Sequence, residues 1–325
     1  MHPAFSVIFL TTLIGAGQGL FLALVTVQSY ALFDLLPREN RTFFAYGSLI
    51  ALTLLVAGLI ASFFHLGRPE RAWRSATQWR TSWLSREVIV LPAFMGTVFL
   101  YGAVHFFHIN PVLTTLPGSI SVDLSMALGA VGAGLAFALF VCTGMIYACL
   151  RFLREWHSPL TVLNYTLLGM ASGFTLAALF AAVVAPELVK FFGVWAMAIT
   201  LAGFVGRIAA LIRNGRLKPK STLQTAIGIK HPRITQKAQG FMGSSFNTRE
   251  FFHGKSTAFL RGIKWFFLLA AFVVPILLLA LVLGGGAYEL LLPAFLVQYV
   301  GLLAERWFFF AQANHPQNLY YQSIS

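Results

Sequence analysis

Long apolar runs alternate with short polar connections along the whole chain. An α-helix needs roughly 20 predominantly apolar residues to cross a bilayer core of about 30 Å. Eight runs reach that length, at residues 6–34, 43–65, 87–108, 122–150, 160–185, 189–212, 263–284 and 287–311. The pattern therefore predicts eight transmembrane helices. Because most connections are short, we expect sequential helices to pack as antiparallel neighbours.

Two other interpretations of the apolar runs are less compatible with the sequence. The first run has no basic segment before it and is longer than the roughly 7–15 apolar residues of a signal peptide, so we expect it to be a retained helix. A membrane β-barrel would show short alternating segments instead. The predicted fold class is an all-α integral membrane protein, an eight-transmembrane-helix bundle that forms one transmembrane domain over residues 1–325.

Composition agrees with a membrane location. The chain is 58% hydrophobic and only 10% charged, with a mean hydropathy of +0.77, whereas a soluble domain is about a quarter charged. The formal net charge of +13 could suggest a nucleic-acid partner, but the positions of the charges indicate another cause.

Lysine and arginine are concentrated on one side of the predicted bundle. The even-numbered connections between helices carry 18 of the 23 basic residues and the odd-numbered connections carry 3. By the positive-inside rule, the even-numbered connections and both termini face the cytoplasm. The basic excess is thus mainly a signal of topology, and we expect no nucleic-acid partner.

One connection is long. Residues 214–262 form a basic loop between helices six and seven that also contains apolar and aromatic side chains. Long loops without regular structure are usually functional or disordered, and the mixed composition favours a cytoplasmic docking surface over a free linker. The predicted docking residues, with two arginines of the second connection, are Arg71, Arg74, Lys230, Arg233, Phe246 and Arg249.

The densest polar stretch is FFHLGRPERAWRSATQWRTSWLSRE, residues 63–87. Helix two ends there at His65, and helix three begins with Glu87 in its first turn. Ionisable side chains inside membrane helices are costly and are functional candidates by default. Several others fall in the same cytoplasmic half of the bundle and form a predicted supporting cluster of Gln18, Asn164, Arg207, Glu305 and Arg306.

A quinone suits this set of residues. A histidine and a carboxylate can exchange protons with a bound group, while arginine and tryptophan side chains can hold a flat, oxygen-bearing ring. The predicted quinone-binding and proton-transfer residues are His65, Glu87, Arg68, Arg80, Trp83 and Ser85. The structural alternative is that His65 only ends a helix and that the arginines only set topology.

Other cofactor and function classes have weaker support. Cys142 and Cys149 form no cluster-ligand run, so we expect no iron–sulfur cluster in this chain. His105 and His108 lie on one helix with no outer histidine facing them, which argues against a di-haem cytochrome. A secondary transporter remains an alternative, although the chain shows neither an internal repeat nor midplane polar residues typical of one.

The junction HLGRPERAWR…WRTSWLSRE resembles that of the dimethyl sulfoxide reductase membrane-anchor family, which is related to the polysulfide-reductase and nitrite-reductase anchors. The opening HPAFSVIFLTTLIGAGQGLFL and the closing AERWFFFAQANHPQNLYY are similar as well. The basic loop is absent from the shorter reductase anchors. Its stretch TAIGIKHPRITQKAQGFMGSSFNTREFFHG is similar to the anchors of cytoplasmic sulfite dehydrogenases.

The resemblance implies a quinone-reactive anchor in a bacterial cytoplasmic membrane, with ubiquinone or menaquinone as the quinone and no haem or metal in this chain. The implied partners on the cytoplasmic face are a ferredoxin-like iron–sulfur subunit and a molybdopterin catalytic subunit, here oxidising sulfite. By position, His65 is the quinone-site histidine and Glu87 its acidic partner, and the pair Glu305 and Arg306 matches a polar pair of the last helix. A reductase anchor that oxidises quinol is the alternative.

Overall fold

The computed structural model of the chain describes residues 1–37, 39–116, 120–218, 221–235, 237 and 250–320, without the side chains of residues 116, 120 and 320. Among the described residues, eight helices are long and apolar enough to span a membrane, which confirms the predicted number. The first six are α1 Phe5–Leu32, α2 Arg41–Phe63, α3 Trp83–Phe106, α4 Leu124–Ala148, α5 Pro159–Val184 and α6 Val189–Gly215.

The seventh span is interrupted. After the short helix α7, Leu223–Ile227, the chain enters α8, Thr257–Leu268, passes through a π-helical turn, Leu269–Val273, and continues as α9, Val274–Leu283. Pro275 lies in the first turn of α9, where its ring would clash with the carbonyl four residues earlier in a regular helix, and the wider π-turn relieves that clash. The eighth span is α10, Leu291–Ala311.

Two features differ from the sequence prediction. The seventh span begins at residue 257, not at 263, because Ser256 caps α8 by accepting a hydrogen bond from the Phe259 amide. In addition, an antiparallel hairpin of β1, Val112–Leu116, and β2, Ile120–Asp123, precedes α4. The prediction contained no strands, since these segments are only 5 and 4 residues long.

Helix α1 lies at the centre of the bundle and packs against α2, α4, α5 and α10. Its contact with α5 is very close, because a Cβ added at Gly173 would overlap the backbone of Gly19 and Leu20. Small residues at such positions let two membrane helices approach through their backbones. The pair of glycines thereby fixes α1 next to α5.

The alternating helices place the connections at two ends. We call the basic end the one that carries residues 64–82, 149–158, the described residues between 216 and 256, the first residues of the chain and residues 312–320. Contacts at this end join distant parts of the chain: the Met1 amine donates to the Ala313 carbonyl at 2.8 Å, and Arg213 donates to the carbonyls of Arg154 and His157. The other end, called the hairpin end, carries β1 and β2.

Candidate functional site

Two narrow clefts enter the bundle near the basic end, and Tyr165 lines both of them. The first, the Glu87 cleft, is bounded by α1, α3, α4 and α5. Its walls are Leu10, Thr11, Ile14, Gly15, Gln18, Glu87, Phe140, Thr143 and Tyr165. The second, the triad cleft, contains Asn164, Arg207, Glu305 and Arg306 and reaches Glu155, Arg213 and Asn214 at its outer end. Each has room for about one water molecule.

The start of α3 positions Glu87. Ser82 caps the helix by accepting a hydrogen bond from the Ser85 amide. The Arg86 guanidinium turns toward the preceding loop, where it donates to the carbonyls of Trp79 and Arg80 at 2.9 and 2.8 Å. The next residue, Glu87, therefore points to another side of the helix, into the cleft.

Glu87 has a hydrogen-bond partner on the next helix, because the Thr143 hydroxyl of α4 donates to its carboxyl group. Across the cleft, the Gln18 amide of α1 donates to the Ala136 carbonyl at 2.8 Å. Further toward the hairpin end, the ring of Phe21 fills the space between α1 and α3 by packing against Phe94 and Tyr101. The space next to Glu87 is lined by both polar and apolar side chains, among them Thr143, Gln18 and Phe140.

His65 lies two turns beyond the point where α2 packs against the α1 wall of this cleft. A Cβ at Gly58 would lie 2.7 Å from Ile14 and 3.2 Å from the Leu10 carbonyl, and both residues line the Glu87 cleft. Positions seven apart share a helix face, so His65 follows on the same side just past the end of α2. Its side chain is exposed, and partial desolvation lowers the pKa of His65 below its ordinary value, so the ring is neutral at pH 7.

The loop residues of the predicted site lie in the connection between α2 and α3 and in the first turn of α3, outside the lining of the Glu87 cleft. Arg68 and Arg80 are exposed, and the Arg80 guanidinium packs over the Trp79 ring. Trp83 stacks under the Arg86 guanidinium at 4.2 Å. Ser85 is buried and donates to the Ser75 carbonyl, which ties the loop to α3. Ser85 thus holds the loop against α3, whereas the structure does not bring Arg68, Arg80 or Trp83 into the lining of the cleft.

The triad cleft contains a buried cluster of three charges. Arg207 on α6 lies 2.8 Å from Glu305 on α10 (Nε to Oε1), and Arg306 lies 3.2 Å from the other carboxylate oxygen. None of the three is more than 4% exposed. The Arg306 guanidinium packs 3.6 Å from the centroid of the Tyr165 ring. Three of the five predicted supporting residues therefore form one contiguous group, and Tyr165 separates this group from the Glu87 cleft.

Asn164 and Gln18, the other two predicted supporting residues, are not part of the charged triad. Asn164 donates to the Gly206 carbonyl at 3.3 Å and lines the triad cleft. Gln18 belongs to the Glu87 cleft. The structure brings all five predicted supporting residues to the two clefts, but it separates them into these two neighbouring places.

The predicted docking residues lie on the basic end where they are described. Arg71, Arg74, Lys230 and Arg233 are exposed. Arg71 lies 3.8 Å from Glu70, a solvent-exposed pair that contributes little stability. Phe246 and Arg249 lie outside the described residues.

Sequence reasoning missed Thr143, the partner of Glu87. A signal was present, since Thr143 and Tyr147 are four residues apart on α4 and share a face, and Tyr147 stacks on Tyr165 with ring centroids 5.6 Å apart. A polar face on an otherwise apolar helix is evidence of a contact within the bundle.

The sequence pattern also did not indicate a polar pocket at the hairpin end. Tyr101 donates to Gln28, and Gln28 donates to Ser125, each at 2.6 Å. His105 is 4% exposed and lines this pocket, with neither ring nitrogen hydrogen-bonded to the described residues. Within the described part of the chain, no group of three His, Cys, Asp or Glu side chains could hold a metal ion.

Comparisons with known proteins cover almost the whole length of the chain. The family model of the DMSO reductase anchor subunit (DmsC) matches residues 1–311. The chain is also similar to the C subunit of the sulfite dehydrogenase of Allochromatium vinosum, with 58% identity over 325 residues that cover 100% of both chains.

Proposed function

The chain belongs to the family of DMSO reductase anchor subunits, and on this premise we propose that it is the quinone-reactive subunit of a sulfite-oxidising complex. In this function it receives electrons from an iron–sulfur partner and passes them to ubiquinone or menaquinone in the membrane. The sulfite assignment follows the relative from Allochromatium vinosum, whose name is that of a sulfite dehydrogenase and to which the chain is similar over its full length.

The observation that carries the proposal is the Glu87 cleft. A carboxyl group inside a membrane helix is costly and marks a functional site, and Glu87 lies in a polar cleft with Thr143, Gln18 and Thr11. Nearby His65 is neutral at pH 7 and exposed at the end of α2. A carboxyl group and an imidazole suit the two carbonyls of a quinone, which take up protons on reduction.

The size of the cleft determines how the ring would bind. The space beside Glu87 accepts about one water molecule or one carbonyl oxygen, which is less than a whole ring. The ring is therefore expected at the mouth of the cleft, with one oxygen directed toward Glu87 and the other toward His65. Because His65 lies at the end of a membrane-spanning helix, a lipid-soluble quinone can reach this place laterally.

The chain's own residues then supply protons and position. Glu87 gives a proton to one ring oxygen. The neutral His65 ring donates a hydrogen bond to the other oxygen and passes on its N–H proton as its second nitrogen takes up a proton from water. Arg68, Arg80 and Trp83, in and beside the connection between α2 and α3, shield the mouth from the aqueous side. Two electrons come from the partner, whose iron–sulfur clusters and molybdopterin supply the redox chemistry when bound.

The basic end is the proposed docking face for that partner. Arg71 and Arg74 project from the 3₁₀ helix, Pro69–Gln78, directly between His65 and Glu87 along the chain. A partner bound there would place its electron donor close to the quinone. Lys230 and Arg233 are exposed in the long connection at the same end, and the positive-inside rule orients this end toward the cytoplasm of a bacterial inner membrane.

A second candidate is supported by the family match itself. The matched family is the anchor of DMSO reductase, so the same site could oxidise quinol and send electrons to a reductase. The residues would act in reverse, with His65 and Glu87 accepting the protons of the quinol. The family match favours both of these functions over the secondary transporter.

The test uses the purified complex and its His65→Ala variant. Sulfite-dependent reduction of a short-chain quinone is compared with sulfite-dependent reduction of a soluble dye, and the presence of every partner protein is checked in both. We expect the variant to retain its partners and dye reduction but to lose most quinone reduction. If the variant reduces quinone normally, His65 is outside the site. If the wild type reduces neither acceptor with sulfite, the substrate assignment is wrong.

A further inference from the structure

The buried triad has an unbalanced charge. Arg207 and Arg306 are cations and Glu305 is one anion, and all three side chains are at least 96% buried. One carboxylate neutralises one guanidinium, so the triad itself carries one positive charge. Glu155 and Arg213 lie together at the outer end of the same cleft, where Glu155 is partly exposed. Taking an uncompensated charge out of water is strongly unfavourable, and a second anion nearby would offset part of that cost.

The geometry identifies Arg306 as the residue that faces such an anion. Arg207 forms the shorter contact with Glu305, 2.8 Å against 3.2 Å for Arg306. The Arg207 guanidinium lies beside the rings of Phe267 and Phe308, on the α8 side of the cluster. Arg306 instead packs on Tyr165 at 3.6 Å.

Tyr165 is the wall shared by the two clefts, and Glu87 lies in the other one. Tyr147, which stacks on Tyr165 with ring centroids 5.6 Å apart, lies one turn of α4 from Thr143, the hydrogen-bond partner of Glu87. Tyr165 is 3% exposed, so the wall between the clefts is a buried ring, and charges on its two sides are only weakly screened.

We propose that Arg306 is the counter-charge of Glu87: it stabilises the carboxylate that Glu87 becomes after it has protonated the quinone. The inference rests on the proposed function and adds a residue to it. Arg306 contacts neither the quinone nor the electron donor. It acts only through Glu87, by stabilising the negative charge of the Glu87 carboxylate, and is therefore a positioning residue.

The step balances as follows. Conversion of a quinone to a quinol takes up two electrons, from the iron–sulfur partner, and two protons. For one of these protons, the O–H bond of the Glu87 carboxyl breaks and an O–H bond to a ring oxygen forms. Glu87 is left as a carboxylate until a proton from water at the basic end restores it. The negative charge that appears on Glu87 is the one that Arg306 offsets.

The other groups near Glu87 do not supply a buried positive charge. Thr143 supplies a hydrogen bond without charge. Arg86 is next in sequence, but its guanidinium is bound to the carbonyls of Trp79 and Arg80 on the exposed side of α3, where water screens it. Cys142 is a free cysteine and carries no positive charge.

The experiment compares Arg306→Gln and Arg306→Lys in the purified complex. The glutamine variant leaves Arg207 and Glu305 as a neutral pair, so no orphan charge is created and folding is expected. We predict about a tenfold loss of quinone reduction for Arg306→Gln, the order of effect of one charge at an effective dielectric constant of about 20. The solvent deuterium isotope effect should rise, because proton transfer becomes slower, and Arg306→Lys should recover most of the rate.

Two matched variants separate charge from packing. Arg207→Gln removes the same charge from the far side of the triad and should slow quinone reduction less than Arg306→Gln. Gln298→Met removes a buried polar group two turns away on the same face of α10, where Gln298 donates to Thr200, and should change neither the rate nor the isotope effect. Dye reduction should be constant in all variants.

Coupling to Glu87 decides the outcome. In a Glu87→Gln background, no carboxylate forms, so Arg306→Gln should cause no further loss in the residual rate. The inference is overturned if that loss persists in this background, or if the isotope effect of Arg306→Gln equals that of the wild type. If Glu87→Gln alone leaves quinone reduction unchanged, the proposed function of the Glu87 cleft is wrong, which is a different result.

Discussion

The Thr143 hydroxyl on α4 donates a hydrogen bond to the carboxyl group of Glu87 on α3. This contact joins two neighbouring helices inside the membrane-spanning bundle, at the Glu87 cleft. A half-buried carboxyl group benefits from such a partner, because an unpaired polar group in an apolar environment is costly. In the proposed function, the hydrogen bond from Thr143 fixes the orientation of the Glu87 carboxyl group as a proton donor.

Removing this hydrogen bond should weaken quinone chemistry selectively. We expect Thr143→Val to lower sulfite-dependent quinone reduction about three- to tenfold, the size of a hydrogen bond to a buried polar group, while dye reduction is unchanged. Thr143→Ser should retain the wild-type rate. The control is Thr175→Val, because the Thr175 hydroxyl is buried but bonds only to the Ala171 carbonyl of its own helix. Equal losses in the two valine variants would contradict the prediction.

The docking face should respond to charge reversal. Changing both Arg71 and Arg74 to glutamate should weaken binding of the iron–sulfur partner more than about tenfold and reduce its dependence on salt, because both exposed cations are lost from the interface. Binding can be measured by reconstitution with the separated soluble partners. Lys190→Glu makes a similar change on an exposed residue at the hairpin end and should leave binding intact. A loss of binding there would indicate a general effect on folding.

The contact between α1 and α5 should not tolerate a methyl group. Gly173→Ala places a Cβ against the backbone of Gly19, and overpacking of this kind typically costs about 1–3 kcal/mol. The thermal unfolding midpoint of the detergent-solubilised chain should fall by several degrees. Gly134→Ala is the control, since no atom lies within 4 Å of its added Cβ and alanine is the better helix former; its midpoint should stay the same or rise.

Docking of the N-terminus should depend on pH. Burial lowers the pKa of the Met1 amine from 8.0 to about 6, so the undocked amine binds a proton more readily than the docked one. Docking is then tightest above pH 8 and weakens as the pH falls from 8 toward 6. The His2 amide donates to the Glu250 carbonyl, and its hydrogen exchange, corrected for the intrinsic rate, should speed up over this range. Acetylation of the N-terminus should remove most of the pH dependence of His2 exchange. If the corrected exchange rate of the protein with an unmodified N-terminus is constant between pH 8 and 6, the prediction is wrong.

The eight spans were predictable because a bilayer demands long apolar runs whatever the sequence around them. The depth of the polar groups follows from the same runs, which is why the sequence places Arg207, Glu305 and Arg306 in one region. The prediction could not pair Arg207 with Glu305 or place Arg306 on Tyr165. Those contacts depend on the rotation of α6 and α10 about their axes, which neighbouring side chains determine.

The misses have local causes. The seventh span was predicted to begin at residue 263, where the apolar run starts after Arg261, yet helices commonly continue past the apolar core where long basic side chains reach the interface. The hairpin of β1 and β2 was missed because short strands outside the membrane carry a weak pattern. Thr143 was missed because a threonine hydroxyl in a helix can donate its hydrogen bond to a carbonyl of the same helix, as Thr175 does, so its presence does not predict a partner on another helix.

The most direct test of the central claim is the position of the quinone ring. Electron cryo-microscopy of the intact complex with a short-chain quinone should show the ring at the mouth of the Glu87 cleft, with one oxygen toward Glu87 and the other toward His65. Density for the ring in the pocket of the hairpin end, beside His105, with none near Glu87 would contradict the account.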